Sequence, residues 1–565
     1  MKVRRPGYRV AALAVAGVLA LSGCGGGSGG DGDDANEASE SASPEASADD
    51  DKGSDAQDGE ITVRACKPQN SLIPTNTNET CGGNVLGAVL AELISYDVDD
   101  GSPEMDIAES IDTKDSITYT VKLKRNVKFH DGTDVTADSF IDAWNWGAYG
   151  PNAQLNSYFF EPIAGYKDLQ STGSTGKTKP KKTKMSGLKK VNDHEFTVKM
   201  GAKNSTFRLR LGYTAFAPLP ESFFKDDGKE FGKKPIGAGP FKMIEGDPNR
   251  EFVLEADEDY DRIGKPSIKK VTFKVFDKID ATYRELQDNA IDIIDEIPTD
   301  SLIDDLYKKD LDGRTLERTV GVFQALNFPS SKIDKSYDDT KIRQAISMAI
   351  DRKRIVENVF NNTRVPATGW VSPVVDGYEP GACAEFCEYN PEQAKKLYDE
   401  TDGVKNDTIT IAYNGDSSHK DWVDAACVSI KEALDVECLG QATPTFAEFR
   451  KNITERKQKG MFRAGWQMDY PSIENFLVPL YETGASSNDG DYTNKTFDRK
   501  LKEAAAETDP DDVNSTYAEA EKMLAKDMPS IPLWYGKQIG GFSDRIESMK
   551  FTVFGTYDLS SVKMK

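Results

Sequence analysis

Three side chains that could bind a charged ligand fall close together near the C-terminal end of the chain. Arg463, Trp466 and Asp469 lie in GMFRAGWQMDYPSIENF, residues 460–476, where small and apolar residues precede a break at Pro471. A carboxylate of this kind can bind a cation through a charge-assisted hydrogen bond, and the neighbouring aromatic ring can pack against the same ligand. Simpler interpretations stay open: a turn residue for Asp469, core packing for Trp466 and a structural cation for Arg463.

No arrangement of residues typical of an enzyme stands out. The histidines are His130, His194 and His419, which lie beside predicted strand ends or turns, and neither an HExxH nor a GxSxG motif occurs. Acidic residues are numerous enough to supply the two carboxylates of a glycosidase, but no pair is singled out. We therefore expect a protein without catalytic activity.

Two short stretches resemble ligand-binding loops and depart from them at decisive positions. GSTGKT (173–178) has the ending of a phosphate-binding loop, but Ser171 stands where that loop needs its first glycine. In DVDDGS (97–102) the glycine comes one position too early for a calcium loop, and no acidic residue closes the site. Both stretches are predicted to be plain turns or loops, and no cofactor or metal is expected.

Length and charge favour a multidomain protein that does not bind nucleic acid. A chain of 565 residues exceeds the size of one hydrophobic core, so two or three domains are expected. The formal net charge is −23, of which −11 falls on residues 31–60 and +4 on residues 1–23, which leaves −16 for the rest. A negative body of this size is opposite in sign to a nucleic-acid-binding surface.

The first 24 residues predict export and lipidation. MKVRRPGYR is basic, and the apolar run VAALAVAGVLAL that follows is too short to span a bilayer comfortably. The run ends in LSGC, which resembles the bacterial lipobox, whose cysteine carries a lipid and becomes the mature N-terminus. Residues 1–23 are therefore a predicted signal peptide and Cys24 the predicted lipidation site; a short anchor helix is the alternative.

Residues 24–60 are predicted to form a disordered acidic tether. They contain almost no apolar residue, so they cannot bury enough surface to offset the entropy of the chain. A flexible linker of this length spans roughly 30–36 Å, and repulsion between its charges extends it further. No later stretch approaches the ~18 apolar residues of a membrane span, so the tether is expected to hold the body near the outer face of the bacterial cell membrane.

Six further cysteines are expected to form disulfides, because an even number outside the cytoplasm favours them. They are Cys66, Cys81, Cys383, Cys387, Cys427 and Cys438. The sequence does not choose among the possible pairings. Short-range pairing, 66 with 81, 383 with 387 and 427 with 438, is the preferred one, and a zinc site made by the last four is the alternative.

Apolar periodicity predicts a mixed body. Strict alternation is clearest in SITYTVKL (116–123), and it recurs in four further predicted strands at 194–200, 251–256, 269–276 and 408–415. Helical spacing is strongest over 339–360, where one face is apolar, and Thr136 looks like the N-cap of another helix. Further helices are predicted at 391–400, 420–435, 496–507 and 513–527. Because strands and helices do not alternate strictly, the body is predicted to be α/β or α+β.

An exported, tethered body without catalytic groups indicates a surface binder for solute import, adhesion or sensing. Motifs in the right order then resemble one family, family 5 of the bacterial solute-binding proteins, which bind dipeptides and oligopeptides for ABC importers. The motifs are AESIDTKDSITYTVKLKRNVKFHDGTDVTADSFIDAW (108–144), IGAGPFKM (236–243), IRQAISMAIDRKRIVENVF (342–360), RAGWQMDYPSIENFLVPLY (463–481) and AEKMLAKDMPSIPLWYGK (520–537).

The resemblance implies an α/β, periplasmic-binding-protein-like, two-lobed (Venus flytrap) fold with an extra inserted domain, which makes three domains of the large cluster C type. Domain I would be discontinuous, built from 60–93, 207–321 and 538–565. Domain II would be the insertion 94–206, and domain III would span 322–537. The lobes would close on the ligand about a hinge of crossing strands.

The resemblance also implies a role for the stretch RAGWQMDY. In oligopeptide binders of this family an extended peptide lies between the lobes as an added β-strand, whose main-chain bonds do not depend on side chains. Gly465 and Gln467 would offer main-chain groups, and Trp466 would pack against the peptide. Asp469 would bind its α-ammonium group.

Further binding residues follow from the same resemblance. Arg463 and Arg456 would lie where the carboxylate end of a peptide could pair with them. On the opposite lobe, NETCGG (78–83) aligns loosely with a strand that flanks the peptide and points to Thr80, although Cys81 departs from the family pattern.

The implied function is that of a monomeric, lipid-anchored extracytoplasmic protein that delivers peptides to the permease of an ABC importer, with the ATPase on a separate chain. The same fold with an oligosaccharide, a nickel chelate or an opine is the alternative, and a peptide sensor or adhesin is another. Asp469 disfavours a neutral sugar, and the scarcity of histidine disfavours a direct metal site.

Overall fold

The computed structural model describes residues 59–171, 179–276, 278–415, 417–444, 446–485 and 487–565. The predicted signal peptide (1–23), the predicted lipidation site Cys24 and the tether up to residue 58 lie outside these residues, as does the GSTGKT stretch (173–178). Within the described ranges no helix has the length and apolar character needed to cross a membrane.

β-Strands occur along the whole described chain. In chain order they are β1 (Glu60–Ala65), β2 (Ile94–Tyr96), β3 (Pro103–Met105), β4 (Ala108–Thr113), β5 (Thr118–Leu123), β6 (Leu188–Asn192), β7 (Glu195–Lys199), β8 (Phe241–Asp247), β9 (Glu251–Ala256), β10 (Lys270–Val275), β11 (Ile293–Ile294), β12 (Thr315–Asn327), β13 (Arg364–Pro366), β14 (Thr408–Asn414), β15 (Glu437–Thr443), β16 (Met461–Gln467), β17 (Ser530–Phe542), β18 (Ile546–Phe551) and β19 (Tyr557–Met564). β12 and β17 have 13 residues each and are much longer than the others.

α-Helices are concentrated in the second half. They are α1 (Thr80–Val89), α2 (Ala137–Ala148), α3 (Ile279–Gln287), α4 (Thr299–Leu302), α5 (Leu306–Asp310), α6 (Thr340–Met348), α7 (Arg352–Asn358), α8 (Pro391–Asp399), α9 (Lys420–Leu434), α10 (Phe446–Thr454), α11 (Ile473–Tyr481), α12 (Lys495–Ala506) and α13 (Pro510–Asp527). Short 3-10 helices, among them Ser157–Phe160, Ser205–Gly212 and Thr214–Phe216, connect the elements in the first half.

The largest sheet joins the two halves of the body. Its strand order is β15-β14-β16-β12-β17-β11-β1-β10-β9-β8, with β13 also paired to β17. The first part of β12, Thr315 to Thr319, pairs with the end of β17, which also pairs with β11 and through it reaches β1. The second part of β12, from Phe323, lies between β17 and β16. The register between β12 and β17 shifts between Thr319 and Phe323. A Cβ on Gly536 would lie 2.6 Å from the Cβ of Val322, so the two strands cross closely where only glycine fits.

Buried apolar side chains form two large cores. The first draws on residues between 61 and 293 and between 546 and 562, together with Tyr470. The second draws on residues between 323 and 535, together with Val553. Burial of apolar surface is the main driving force for folding, so each core stabilises its own part of the body. We call these parts the first lobe and the second lobe; β12 and β17 connect them.

A four-stranded antiparallel sheet, β4-β5-β7-β6, forms part of the first lobe. On β5 the side chains of Tyr119, Val121 and Leu123 are buried, as their alternation predicts. Thr136 is the N-cap of α2, and its N–H donates to the Ser139 hydroxyl at 3.2 Å. The sheet lies within 94–206, the range predicted for domain II, while the three-domain division of the chain stays a prediction.

The prediction of one helix over 339–360 is wrong, because the chain forms α6 and α7 there with a break between them. The Asp351 carboxylate accepts the N–H of Arg354 at 3.0 Å and so starts α7. Arg352 is buried, and its guanidinium donates to the Ser347 carbonyl near the end of α6 at 2.9 Å. The other strands and helices that apolar periodicity predicts are present within three residues of their expected bounds.

The preferred disulfide pairing is confirmed. Cys66 bonds to Cys81, Cys383 to Cys387 and Cys427 to Cys438. The alternative of a zinc site made by the last four cysteines is therefore wrong, because their sulfur atoms are consumed in two disulfides. The first bridge fastens the end of β1 to the start of α1.

Replacement of Cys66 and Cys81 by serine is expected to lower the free energy of unfolding by about 3 kcal/mol, because the bridge closes a loop with a sequence separation of 15 residues. The matched replacement of Cys383 and Cys387, whose separation is 4 residues, is expected to cost about 2 kcal/mol. Urea unfolding of both variants measures the difference, and a larger loss from the shorter loop would contradict the loop-closure explanation.

Candidate functional site

Among the described residues, the strand that carries the predicted site is paired along only part of one edge. β16 pairs with β12 from Phe462 to Gln467, whereas β14 pairs with it only at Met461 and Phe462. From Ala464 to Gln467, no described strand lies along the second edge. A strand edge of this kind presents main-chain donors and acceptors that another extended chain can use. We call this stretch the open edge of β16.

Alternation along β16 decides which main-chain groups face the open edge. The N–H of Met468 donates to the Gly321 carbonyl at 2.8 Å, which points it toward β12. In an antiparallel pair the main-chain groups of successive residues point to opposite edges, so those of Gly465 and Gln467 face the open edge. Gly465 is exposed, and a Cβ built there would lie 3.6 Å from its nearest neighbour, Nη1 of Arg463.

Asn475 links the aromatic and acidic side chains of the site. Its Oδ1 accepts the indole N–H of Trp466 at 3.1 Å and the main-chain N–H of Asp469 at 2.9 Å. Its Nδ2 donates to Oδ2 of Asp469 at 3.1 Å. Asn475 is almost fully buried near the start of α11, so it fixes both side chains. Sequence reasoning missed it, because an asparagine inside a helix start carries no signal of its own.

The carboxyl group of Asp469 is held in an unfavourable environment for a charge. Burial raises its pKa from 3.8 to about 7, although the hydrogen bond from Asn475, the positive charge of Arg210 and the Tyr158 hydroxyl all act in the opposite direction. Burial disfavours the charged form of an acid because water no longer solvates it. Asp469 is therefore an acid whose charge an added cation would stabilise.

The first lobe places three tyrosines within electrostatic reach of this carboxylate. The charge of Asp469 contributes to the raised pKa values of Tyr96, Tyr158 and Tyr213, for which burial is the largest cause. The rings of Tyr158 and Tyr213 stack on either side of Phe159, with centroids 4.5 and 4.3 Å away. All three tyrosines are half-buried. They lie far from Asp469 in the chain, so no local sequence pattern groups them with it.

A buried ion pair connects the lobes next to Asp469. The guanidinium of Arg210, from the first lobe, bonds to Oε1 of Glu474 on α11 of the second lobe, and their side chains are only 9% and 2% exposed. Oε2 of Glu474 accepts the hydroxyl of Thr206 at 2.7 Å. The guanidinium also lies over the ring of Tyr470, 5.5 Å from its centroid. The two lobes therefore meet at the ion pair of Arg210 and Glu474, whose charges compensate each other. Beside this pair lies Asp469, whose charge is only partly compensated.

The two predicted arginines occupy different surroundings. Arg463 donates from Nε and Nη2 to Oδ1 of Asn414, at 2.9 and 2.6 Å, and its guanidinium lies over Phe446 and Phe449. Arg456 donates from Nε and Nη2 to Oδ1 of Asp491, at 3.0 and 2.8 Å. Arg456 therefore has an acidic partner within the second lobe.

The strand predicted around Thr80 is wrong. Thr80 is exposed and begins α1, and the preceding Glu79 caps this helix by accepting the N–H of Cys81 at 2.6 Å and that of Gly82 at 3.1 Å. The cap and the disulfide at Cys81 hold the segment as a helix start, so it cannot flank a ligand as a strand.

Most of the chain matches a known protein family. A model of the bacterial extracellular solute-binding proteins, family 5, matches residues 102–488. The chain belongs to this family. The matched range contains β16, Asp469 and the start of α11, so the family assignment and the site fall on the same residues.

Relatives and solved structures are similar over most of the chain. The oligopeptide-binding protein OppA of Bacillus subtilis is 26% identical over 482 residues, which cover 82% of this chain and 85% of the relative. The structure of OppA from Burkholderia pseudomallei matches with a TM-score of 0.77 at 20% identity, over 90% of this chain and 100% of that one. Haemophilus influenzae OppA in complex with RPPGFSPFR matches with a TM-score of 0.73 at 21% identity, over 90% and 99% of the two chains. The predicted two-lobed fold with an extra domain is confirmed.

Glu474→Gln is expected to lower the free energy of unfolding by about 3–5 kcal/mol, because it leaves the buried charge of Arg210 without its partner. Replacing both residues with methionine is expected to cost less than the sum of the single changes, since no buried charge is left. As a matched control, Asp399→Asn breaks the exposed pair of Lys395 and Asp399, for which about 0–1 kcal/mol is expected. Equal losses from the buried and the exposed pair in urea unfolding would show that the charge of Arg210 does not depend on Glu474 for compensation.

Proposed function

We propose that this protein captures oligopeptides in an extended conformation between its two lobes and delivers them to the permease of an ABC importer. The single observation that carries the proposal is the open edge of β16, which runs directly into the half-buried carboxylate of Asp469. Main-chain pairing and a charged anchor at one end are the two requirements for holding a peptide whose side chains vary. The binding of an oligopeptide by the similar family members named above supports this assignment.

The open edge of β16 would add the peptide as a strand. The main-chain groups of Gly465 and Gln467 face that edge, so they would bond to the main chain of the peptide. Packing does not require glycine at position 465, since its surroundings leave room for a Cβ. We attribute the missing side chain to the close approach of the peptide. Strand addition of this kind binds many sequences, because its bonds do not involve side chains.

Asp469 would bind the α-ammonium group of the peptide. The tyrosines of the first lobe and Asn475 enclose the carboxylate, and a cation that arrives with the ligand would supply the compensation that the protein alone leaves incomplete. Because the enclosure needs both lobes, ammonium binding would favour the closed arrangement, in which Arg210 and Glu474 also pair. Trp466 would pack against the peptide with its indole fixed by Asn475.

The remaining residues of the predicted site would act at its periphery. Arg463 lies on the same strand as Gly465 and would face the carboxylate end of short peptides. Arg456 is bound to Asp491, so it would act on the peptide only indirectly, by holding the loop that contains Asp491. Thr80 would contact the peptide from the exposed start of α1.

The setting of the body follows from the N-terminal motif. Lipidation of Cys24 would anchor a monomer to the outer face of the cell membrane after removal of residues 1–23, and residues 24–60 would tether it within reach of the permease. The hinge between domains I and III would be the crossing of β12 and β17, where their register shifts. No reaction is part of this function.

Asp469→Asn is expected to weaken binding of peptides with free N-termini on the order of 100-fold, because it removes one partner of a desolvated charge pair. Calorimetric titration of full-length protein in detergent with tri- to pentapeptides, after unfolding and refolding to remove carried ligand, measures the effect. N-acetylated forms of the same peptides should bind weakly to both proteins, and Asp399→Asn should behave like the wild type.

The two parts of the proposal fail separately in this titration. Equal binding of plain and acetylated peptides would keep the peptide as ligand and discard the role of Asp469. Absence of binding for all peptides would discard the peptide and favour another solute on the same fold.

Peptide affinity is expected to fall as the pH drops from about 7 to 5, because only the ionised form of Asp469 pairs with an ammonium group and its pKa is raised to about 7. The peptide ammonium keeps its charge over this range, since its own pKa is about 8. Dissociation constants measured at several pH values should change more in the wild type than in Asp469→Asn. A wild-type affinity that is the same at about pH 7 and at pH 5 would show that peptide binding does not depend on the ionisation of Asp469.

A further inference from the structure

A cavity with unsatisfied polar groups lies in the first lobe. Its volume is about 250 Å³, and its lining comes from α1 and the segment after it, from β8 and β10, and from the turn and strand at β19. None of the β16 residues assigned to peptide binding lines it. A cavity of this size holds a small molecule of a few heavy atoms rather than a peptide.

Three buried polar atoms in the lining residues lack a hydrogen-bond partner among the described residues. They are Oδ1 of Asn84, Oε1 of Glu92 and Oγ of Ser95. Buried polar atoms are normally satisfied, so three of them at one cavity indicate a ligand that supplies donors. The amide oxygen of Asn84 and the oxygen of ionised Glu92 can only accept hydrogen bonds, and the hydroxyl of Ser95 can also accept one.

The charges around the cavity leave Glu92 without a full counter-ion. Asp106, which also lines the cavity, is paired with Arg262 at 2.7 Å, and that guanidinium also donates to the Ala238 carbonyl and lies over the ring of Tyr260. Burial and the charge of Asp106 raise the pKa of Glu92 to about 8, and Arg262 only partly opposes this shift. Two carboxylates thus share one guanidinium.

Ordered water alone would not resolve this imbalance. Water molecules could satisfy the amide oxygen of Asn84 and the hydroxyl of Ser95, but the ionised form of Glu92 would still lack a counter-ion. A ligand that is both a cation and a hydrogen-bond donor satisfies all three atoms at once. The aromatic side chains of Phe241, Tyr260 and Phe273 in the same lining suit a ligand with an apolar part.

We propose that this cavity binds a small organic ammonium ion, with the carboxylate of Glu92 as its counter-ion and with Asn84 and Ser95 as hydrogen-bond acceptors. The apolar part of the ion would lie against the aromatic side chains of the wall. The β16 residues assigned to peptide binding do not line this cavity, and its ligand differs from a peptide, so the proposal stands or falls independently of the proposed function.

The test uses the full-length Asp469→Asn protein in detergent, so that ammonium binding at the peptide cleft does not contribute. Ethylammonium chloride is titrated calorimetrically at about pH 9, where both Glu92 and the probe carry their charges, with potassium chloride at equal ionic strength as the comparison. Saturable binding of ethylammonium is expected, and potassium should not replace it.

Variants of the lining residues sharpen the test. Adding Glu92→Gln should weaken ethylammonium binding on the order of 100-fold, and Ser95→Ala should weaken it about tenfold. Glu109→Gln, which changes an exposed carboxylate on β4, is the matched control and should bind normally. At about pH 9, where Glu92 is ionised, Glu92→Gln should also raise the melting temperature, because it removes an uncompensated charge, and this separates a lost ligand from a lost fold.

Three results would overturn the proposal. The first is the absence of saturable heat when ethylammonium is added. The second is an ethylammonium affinity of Glu92→Gln that equals that of Glu109→Gln. The third is binding of potassium that is as tight as the binding of ethylammonium. If Glu92→Gln shows no cooperative melting, the Ser95→Ala titration decides in its place, and unchanged affinity there would overturn the proposal equally.

Discussion

The cleft depends on a carboxylate that both lobes help to remove from water. Asn475 of the second lobe donates to Asp469, and Tyr158 and Arg210 of the first lobe act on it as well, yet its pKa stays near 7. A buried acid in this state is stabilised by a cation, and the enclosure exists only while the lobes are together. A ligand that carries an ammonium group therefore couples its own binding to closure. The open edge of β16 can then accept any extended main chain, because the charged anchor does not depend on the side chains of the ligand.

The sequence predicted well those features that neighbouring residues determine. The alternation of β5, the N-cap at Thr136 and the short-range disulfides all depend on local spacing, and the family motifs led to the strand that ends at Asp469. The long-range part of the site could not be found this way. Tyr158, Tyr213 and Arg210 reach Asp469 only because β12 and β17 cross between the lobes, and no local pattern records that convergence. The error of predicting a strand around Thr80 has the same origin, since a cap and a disulfide outweigh a loose motif alignment.

Buried charges in this protein fall into two classes. Arg210 with Glu474, and Arg262 with Asp106, are paired inside the body, and such pairs fix how its parts fit together. Asp469 and Glu92 are half-buried acids whose compensation is incomplete, and the raised pKa of each lowers the folding stability at neutral pH and above. Proteins retain groups of this kind where function outweighs stability. The contrast is the physical reason for assigning ligands to the second class and structural roles to the first.

The role of Asp469 is tested most directly by its own pKa, measured by carbon NMR of the labelled carboxyl group in free and peptide-saturated protein. With the lobes together and no peptide bound we expect a value near 7, and a fall of several units when a peptide with a free N-terminus is added, because the ammonium group stabilises the charged form. A pKa that does not fall on addition of the plain peptide would show that Asp469 is not the partner of the ammonium group, and the coupling of ligand charge to closure would then be wrong.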